Sequence, residues 1–469
     1  MNYMKRFAGL VCAVAAIVFF ASCSKDKESG SLSFDSPAVF LSAGQTVTVG
    51  FKSVNLQNLS VTNKPTGWSE PTIDVAAQTL TITAPGSFDD DEVKTGSVVL
   101  AGSPKGGSSV SATLFVGVVE SEDLSGKPAN SYIVSKPEHN YLFDAMHKGD
   151  GTSSLATASV DVVWQSKSGL IQYTELRDGK VSFYVGADSD DEEKIKEGNA
   201  VIGAYDAGGT MIWSWHIWAV NYNPETSKVL FNGYNMMDRN LGALANDNST
   251  TDKILASYGL YYQWGRKDPF YWGETTEVPA SSAAFSEAKR LTVVNPAYET
   301  LMWGFSKTAV TPEAAAANPM TFYNNTVGTG YNWLSKPSAK LWGEAKLLND
   351  PCPPGYKVPD IDAWENLSSG RDYIDGVSAW DVENYGVTYT YNGQTAWYPG
   401  QGYRMYSSGA IVGQRATSGG SGGYWSSKVT AAKSYYLFIK KQLSSSSGSI
   451  NPELDTHRSY GYTVRCCKE

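Results

Sequence analysis

Cysteine and histidine carry most of the chemistry an exported or catalytic chain can do, and this one has few of them. In 469 residues there are five cysteines and four histidines. Cys12, Cys23, Cys352, Cys466 and Cys467 form no CxxC pair and no Cys/His cluster, so no zinc site is expected. His216 has no Ser or Cys motif beside it and reads as a strand histidine, not a general base. The acidic runs Asp89-Asp90-Asp91-Glu92 and Asp188-Ser189-Asp190-Asp191-Glu192-Glu193 lack the ligand spacing and central glycine of a calcium loop, and read as solvated loops. No GxSxG, HExxH, Walker or strand-linked GxGxxG motif is present. Ser418 to Gly423 is glycine-rich, but no Lys-Ser/Thr pair follows, which suits a flexible loop. The expectation is a protein without catalytic residues, metal or cofactor. With 38 basic against 47 acidic residues and no basic stripe, nucleic acid is not an expected partner.

The one strong chemical position is Cys23. Lys5 and Arg6 precede an uncharged apolar run from Phe7 to Phe20, too short to span a bilayer comfortably, and small residues lead into the cysteine. This is the layout of an export signal over residues 1–22. Phe20-Ala21-Ser22-Cys23 resembles the lipobox of bacterial lipoproteins, which implies thioether lipidation of Cys23 and membrane attachment through several acyl chains. The charged tether at 23–30, with Lys25-Asp26-Lys27-Glu28, resembles the signal for outer-leaflet display in lipoproteins of Bacteroides-type bacteria; a plain polar tether fits it equally. The expected location is the outer membrane, exposed at the cell surface.

The remaining length suits about three domains of ~150 residues. Its 45 Gly, 28 Tyr and 14 Trp point to turn-rich β structure. Residues 31–120 read as an Ig-like β-sandwich, on the strands Val47-Thr48-Val49, Thr79 to Ile82 and Val110 to Val118. Gly67-Trp68 followed by Thr79 to Pro85 resembles BACON-like modules. Residues 121–230 read as a second β-sandwich. Its alternating runs are Val181 to Val185 and Met211 to Trp218, and Asn130-Ser131-Tyr132 and Trp213-Ser214-Trp215-His216 resemble segments of fimbrillin-associated proteins. Residues 231–469 hold nine of the 14 Trp. Asn325 to Leu334 and Tyr385 to Tyr403 lack clean periodicity, a helix is predicted from Asp360 to Leu367 after Pro359, and the chain closes on a strand from Tyr460 to Cys466.

Five ordered motifs fall in this last part: Met237-Asp238-Arg239-Asn240-Leu241-Gly242-Ala243, Ser257 to Phe270, Asp350-Pro351-Cys352-Pro353-Pro354-Gly355-Tyr356-Lys357-Val358-Pro359, Gly423-Tyr424-Trp425-Ser426-Ser427 and Gly461-Tyr462-Thr463-Val464-Arg465-Cys466. Together they resemble the Fibrobacter succinogenes major paralogous (FISUMP) domain. The resemblance implies a mixed α/β, C-type-lectin-like scaffold and a surface display or binding role with no established chemistry. Physically, Asp238, Arg239 and Asn240 suit a hydrogen-bonded brace at a strand end. Asn451-Pro452-Glu453 reverses the calcium-lectin order and lacks a Trp-Asn-Asp partner, so calcium-dependent sugar binding is not expected.

Cys352 and Cys466 both sit in the matching motifs, and a disulfide between them is expected. Cys467, on the other strand face, is the alternative partner. In lectin-like folds ligands meet the C-terminal part of the domain. Here that part offers Tyr435, Tyr436, Lys440, Asn451, His457 and Tyr460, together with Ser444 to Ser447. Tyr supplies rigid contact area, and Ser and Asn supply adaptable hydrogen bonds. Alternation predicts that either Tyr435 or Tyr436 packs in the core. The expected function is ligand binding or adhesion toward a glycan or protein. The alternatives are a fimbrial anchor or tip partnered by fimbrial subunits, marked by a groove for a donated strand, and a glycan-active enzyme, marked by two convergent carboxylates.

Overall fold

The computed structural model describes residues 29–87, 94–271, 293–297, 299, 301, 303–325, 331–369, 372–381, 383–414, 420–431, 433–440 and 450–469. Cys12, Cys23 and the rest of the signal, Lys25 to Glu28, the Asp89 to Glu92 run, Trp272, Ser418 and Ser444 to Ser447 lie outside them. The chain divides into two compact units, one of Met1–Glu122 with Glu138–Tyr141, the other of Asp123–Pro137 with Leu142–Glu469.

The first unit is an Ig-like sandwich of two four-stranded sheets. Thr46–Val54 and Thr79–Thr83 pair in one, with Val49 opposite Leu80 and Val47 opposite Ile82; Thr95–Ser103 and Val110–Val118 pair in the other. The period-two pattern that marks these strands in the sequence turns Val49, Phe51, Leu80 and Ile82 inward against Val98, Leu100, Leu114 and Val116, around buried Trp68. The opening strand changes sheets. Ser31–Phe34 runs antiparallel to Thr46–Val54, and Ala38–Leu41 runs parallel to Val110–Val118. Pro37, which cannot donate to a ladder, stands at the crossing.

The second unit is also β-rich. Its N-terminal part is a sandwich whose first sheet orders Ser131–Val134, Met211–Ala219, Gly198–Tyr205 and Ser159–Gln165. Facing it is the hairpin Ile171–Arg177/Lys180–Val185. Phe143 joins the layers, stacked on Tyr132 at 4.6 Å and edge-on to Trp215 at 5.1 Å. The core continues past residue 230 without a break. Trp164, Val201, Trp218 and Tyr222 pack in one cluster with Met237, Leu241, Trp264 and Val464. Residues 123–137 and 142–469 therefore share one compact unit.

The C-terminal part is not the mixed α/β scaffold expected. A seven-stranded sheet dominates it, running Tyr261–Gln263, Gly461–Thr463, Gln401–Arg404, Ser421–Val429, Ser434–Lys440 and Ile450–Thr456, with Ile411–Val412 paired to Gln401–Arg404. The described helices are single turns or little more: Pro224–Ser227, Thr251–Ala256 and Pro312–Ala316, each held by a side-chain N-cap (Asn223, Thr250, Thr311). The helix predicted from Asp360 to Leu367 is one 3-10 turn, Ile361–Trp364, capped by Asp360. Its buried residues are Ile361, Ala363 and Trp364, and buried Leu367 follows three positions after Trp364. A 3-10 turn stacks i and i+3 directly, whereas an α-helix would fan them apart. Tyr385 to Tyr403, which reads as aperiodic, contains the hairpin Gly386–Tyr391/Gln394–Pro399. Asn392 and Gly393 form its turn with φ of 50° and 76°, the backbone a two-residue hairpin requires. The closing strand is shorter than expected, Gly461–Thr463. Cys467–Lys468 pairs separately with Tyr356–Lys357 and Tyr234–Met236.

Candidate ligand-binding face

Long loops surround the C-terminal sheet, and buried arginines hold them. Arg266 donates to the carbonyls of Thr321 (2.7 Å), Ala315, Asn318 and Pro319 and to Gln263 Oε1. Arg458 donates to Ser338 O (2.7 Å), Thr430 O (2.9 Å) and Ser434 Oγ. Arg404 donates to Gly409 O at 2.9 Å and to Tyr271 O at 2.5 Å. A guanidinium carries five donors in a planar fork, so one side chain satisfies several carbonyls that a ladderless loop leaves over. The expected brace at the Asp238-Arg239-Asn240 motif is present. Asp238 accepts from Arg239 Nε (3.0 Å) and Asn246 Nδ2 (3.2 Å). Asn240 donates to Tyr258 O (3.0 Å) and accepts from Arg465 Nε (3.0 Å).

Cys352 and Cys466 are disulfide-bonded, and Cys467 is a buried thiol. Tyr462, Val464 and Cys466 share one core cluster and Cys467 lies in another, the facing that strand alternation gives. Burial pushes the Cys467 thiol up to about 12. Structural disulfides persist in oxidising compartments. Asn130 and Ser131 grip the same loop. Asn130 Nδ2 donates to Leu348 O (2.7 Å) and Asp350 O (2.9 Å), and Ser131 Oγ donates to Pro351 O (2.7 Å).

On one face of the seven-stranded sheet the aromatic side chains form a continuous ladder. Tyr436 stacks on Tyr462 at 4.5 Å with ring planes 9° apart, and Tyr462 on Tyr460 at 5.4 Å and 10°. Tyr403 and Tyr406 meet Tyr460 edge-on at 5.7 and 4.9 Å. Tyr406 lies 4.6 Å from Tyr331 and 5.8 Å from His457, and Tyr331 and His457 are 4.9 Å apart. Tyr436 and Tyr462 are buried, whereas Tyr403, Tyr406, His457, Tyr460 and Tyr331 are half-exposed. The ladder thus emerges from the core as an open band of rings. Burial, with Tyr403 and Tyr406 alongside, raises the Tyr460 hydroxyl to about 12, and burial also raises Tyr403. Both stay neutral at physiological pH and keep their donor and acceptor capacity. Tyr331 adopts a left-handed backbone (φ 56°), uncommon for a bulky residue and costing on the order of 1 kcal/mol.

Among the described residues, both amide atoms of fully buried Asn324, Nδ2 of Asn332 and Oγ of Ser459 meet no hydrogen-bond partner. Each such group costs about 1–3 kcal/mol if left so.

Of the residues singled out from sequence, His457 and Tyr460 belong to the band and Tyr436 to its buried root. Asn451 pairs opposite Phe438 on the same sheet face, its Oδ1 accepting from Glu453 N at 3.0 Å. Lys440 falls on that face by alternation from Tyr436 and Phe438, and its carbonyl accepts from Tyr373 Oη at 2.9 Å. Tyr435 is on the opposite face, packed with the other core cluster, 5.2 Å beneath the Lys428 ammonium that also binds Glu453. Tyr331, Tyr403, Tyr406, Asn324 and Asn332 were not singled out. Apart from Tyr403, which lies on strand Gln401–Arg404, they come from loops, and the only signal was the tyrosine pair at Tyr403 and Tyr406. His216 is buried, with Nε2 2.9 Å from Asn199 Oδ1, and burial lowers its pKa to about 3. Among the described residues no group of three His, Cys, Asp or Glu is placed to hold a metal ion, and no helix is long and apolar enough to cross a membrane.

No curated protein matches the chain. Solved structures match it in part. The D00-D0 domain of intimin is similar at 15% identity and a TM-score of 0.17, over 40% of this chain and 96% of that one. The N-terminal Ig1-2 module of the Drosophila receptor protein tyrosine phosphatase DLAR is similar at 9% and 0.16, over 41% and 99%. A Bacteroides ovatus protein, SGBP-B of a mixed-linkage glucan utilization locus, solved with a mixed-linkage heptasaccharide, is similar at 11% and 0.13, over 38% and 42%. Likenesses of this degree assign neither fold nor function. No family model matches the chain either, so it is placed in no family.

Proposed function

We propose that this chain is a surface-displayed lipoprotein, anchored through acylated Cys23, whose second unit binds an extracellular ligand and catalyses nothing. The observation that carries the reading is the band of half-exposed rings at Tyr331, Tyr403, Tyr406, His457 and Tyr460. Rings rooted in a buried stack lose little conformational freedom on binding, and each offers an apolar face with a polar tip. The export signal and the Cys352–Cys466 disulfide support placement outside the cytoplasm. The FISUMP-like, lectin-like reading of residues 231–469 rests on the five ordered motifs. The test is an array of oligosaccharides and extracellular proteins probed with the full chain, since 121–230 and 231–469 share a core. The reading expects a ligand whose retention falls at least tenfold in Tyr406→Ala while the melting temperature holds. A ligand bound equally well by Tyr406→Ala and His457→Ala overturns this face as the site.

A further inference from the structure

The half-exposed rings of the band share no common plane. Tyr331 meets Tyr406 at 59° and His457 at 62°, and Tyr406 meets His457 at 59° and Tyr460 at 64°. Tyr403 meets Tyr460 at 67°. The near-parallel contacts run inward through buried Tyr462. Rings turned in this way leave clefts between them and no level platform on which successive sugar rings could lie. The turn that carries Tyr406 is fastened. Met405 N donates to Ala410 O and Gly409 N to Met405 O, both at 2.8 Å, and Arg404 Nη1 donates to Gly409 O at 2.9 Å. A Cβ on Gly409 would lie 3.4 Å from Cδ2 of Phe305, a ring 37% exposed, so the same turn has a further open aromatic side chain beside it. No charged side chain belongs to this surface. Arg404 and Arg458, next to band residues in the chain, are buried and engaged with Gly409 O and Tyr271 O and with Ser338 O and Thr430 O. Among the described residues no hydrogen bond takes up the hydroxyl of Tyr331, Tyr403, Tyr406 or Tyr460.

We propose that this surface binds an extended, uncharged, proline-rich peptide segment of a partner protein. The inference rests on the ring band being the ligand face. A proline-rich segment takes the polyproline II form, which has no internal hydrogen bonds, so its carbonyls stay open as acceptors and little freedom is lost on binding. The tyrosine hydroxyls supply the donors those carbonyls need. With the Tyr460 hydroxyl raised to about 12 by burial, and Tyr403 raised by the same cause, both remain protonated donors at physiological pH. Pyrrolidine rings are compact and apolar, and they fill clefts between tilted aromatic rings, the mode in which aromatic-lined grooves take proline-rich segments. Recognition by strand addition would need an open backbone edge, whereas this surface is made of side chains. A charged segment would give up its water with no opposite charge on the surface to replace it.

The experiment passes the full chain over arrays of uncharged proline-rich peptides, of the same peptides with alanine in place of proline, and of neutral oligosaccharides. A retained peptide is then titrated at low and at high salt. The variants are Tyr406→Ala, Tyr406→Phe and Phe305→Ser, each with its melting temperature. Retention of proline-rich peptides is expected, nearly independent of salt. It should weaken about tenfold in Tyr406→Ala, and about threefold both in Phe305→Ser and in Tyr406→Phe, which keeps the ring and loses only the hydroxyl. Equal retention of the alanine peptides, or binding abolished by high salt, overturns the proline-rich class and leaves the ring face standing. Retention of oligosaccharides alone, lost in Tyr406→Ala, overturns the peptide and again leaves the face. Peptide binding weakened by Tyr406→Ala but untouched by Phe305→Ser overturns the reach to Phe305. Binding that no variant alters, or no retention on any array, overturns both the ligand and the face.

Discussion

Arg465 Nε donates to Asn240 Oδ1 at 3.0 Å across 225 residues of chain, while Arg465 Nη2 donates to Trp397 O at 2.7 Å. The guanidinium carbon lies 3.7 Å over the centroid of the Tyr398 ring. One cation thus fastens three segments that share no strand ladder at that point. In Asn240→Ala the Arg465 Nε–H and the Tyr258 carbonyl both lose their partner in the interior. A loss of about 3 kcal/mol is expected, read as a lowered urea midpoint with unchanged slope. An unshifted midpoint would show that the brace is idle.

Reducing the Cys352–Cys466 bond frees a loop of 114 residues. In the chain-entropy model this costs ~4–5 kcal/mol. Non-reducing peptide maps should join these two cysteines. Cys467, buried with its thiol raised to about 12, should resist iodoacetamide at pH 8 until the protein is unfolded. Rapid labelling of Cys467 in native protein contradicts this.

His216 supplies a pH dependence. Its folded pKa, about 3, lies below the ordinary value near 6.5, so the unfolded chain binds a proton that the folded chain refuses between those values. Stability therefore rises with pH across that window. It is fully present above about 6.5 and lost as the pH falls toward 3, with a slope of up to ~1.4 kcal/mol per pH unit from this group. His216→Gln should flatten the profile of unfolding free energy between pH 4 and 6. An equally steep profile in the variant assigns the dependence elsewhere.

Gly423 backs the tyrosine stack. A Cβ there would stand 2.2 Å from Tyr462 Cδ1, against a ring pressed between Tyr436 and Tyr460. Gly423→Ala should cost about 1–3 kcal/mol by overpacking and reduce the near-ultraviolet tyrosine dichroism as the stack is displaced. Wild-type dichroism and stability in that variant would mean that the ring yields freely.

Wherever burial alternates strictly, the sequence was readable. Thr79 to Ile82 and Val110 to Val118 carry the period of two because one face meets the core and the other water. Loops escaped it. Nothing in linear order joins Tyr331 to Tyr406, 75 positions apart, or ties Gln263 to Ser459, because those contacts are made by side chains reaching between distant segments. The predicted helix at Asp360 gave way to a 3-10 turn, whose period of three matches buried Ile361, Trp364 and Leu367 more closely than the 3.6 of an α-helix. The ligand face was half legible. Alternation placed Tyr435 and Tyr436 on opposite sides, but which side opens to solvent depends on strands that arrive from residues 401 to 404 and 461 to 463.

The grip of Asn130 and Ser131 on the loop at Asp350 and Pro351 has a mechanical meaning. Tension entering the second unit at the Asn130 end passes through three hydrogen bonds into a stretch of backbone that is covalently cross-linked one residue later, at Cys352, to the last strands of the chain. A pull on that end would load those bonds together with the Ser131–Val134 ladder to Met211–Ala219. The Arg465 brace lies next to the cross-link and would share the strain. Built this way, the second unit should yield to force in one abrupt event, and reduction of the disulfide should turn that event into a gradual unravelling.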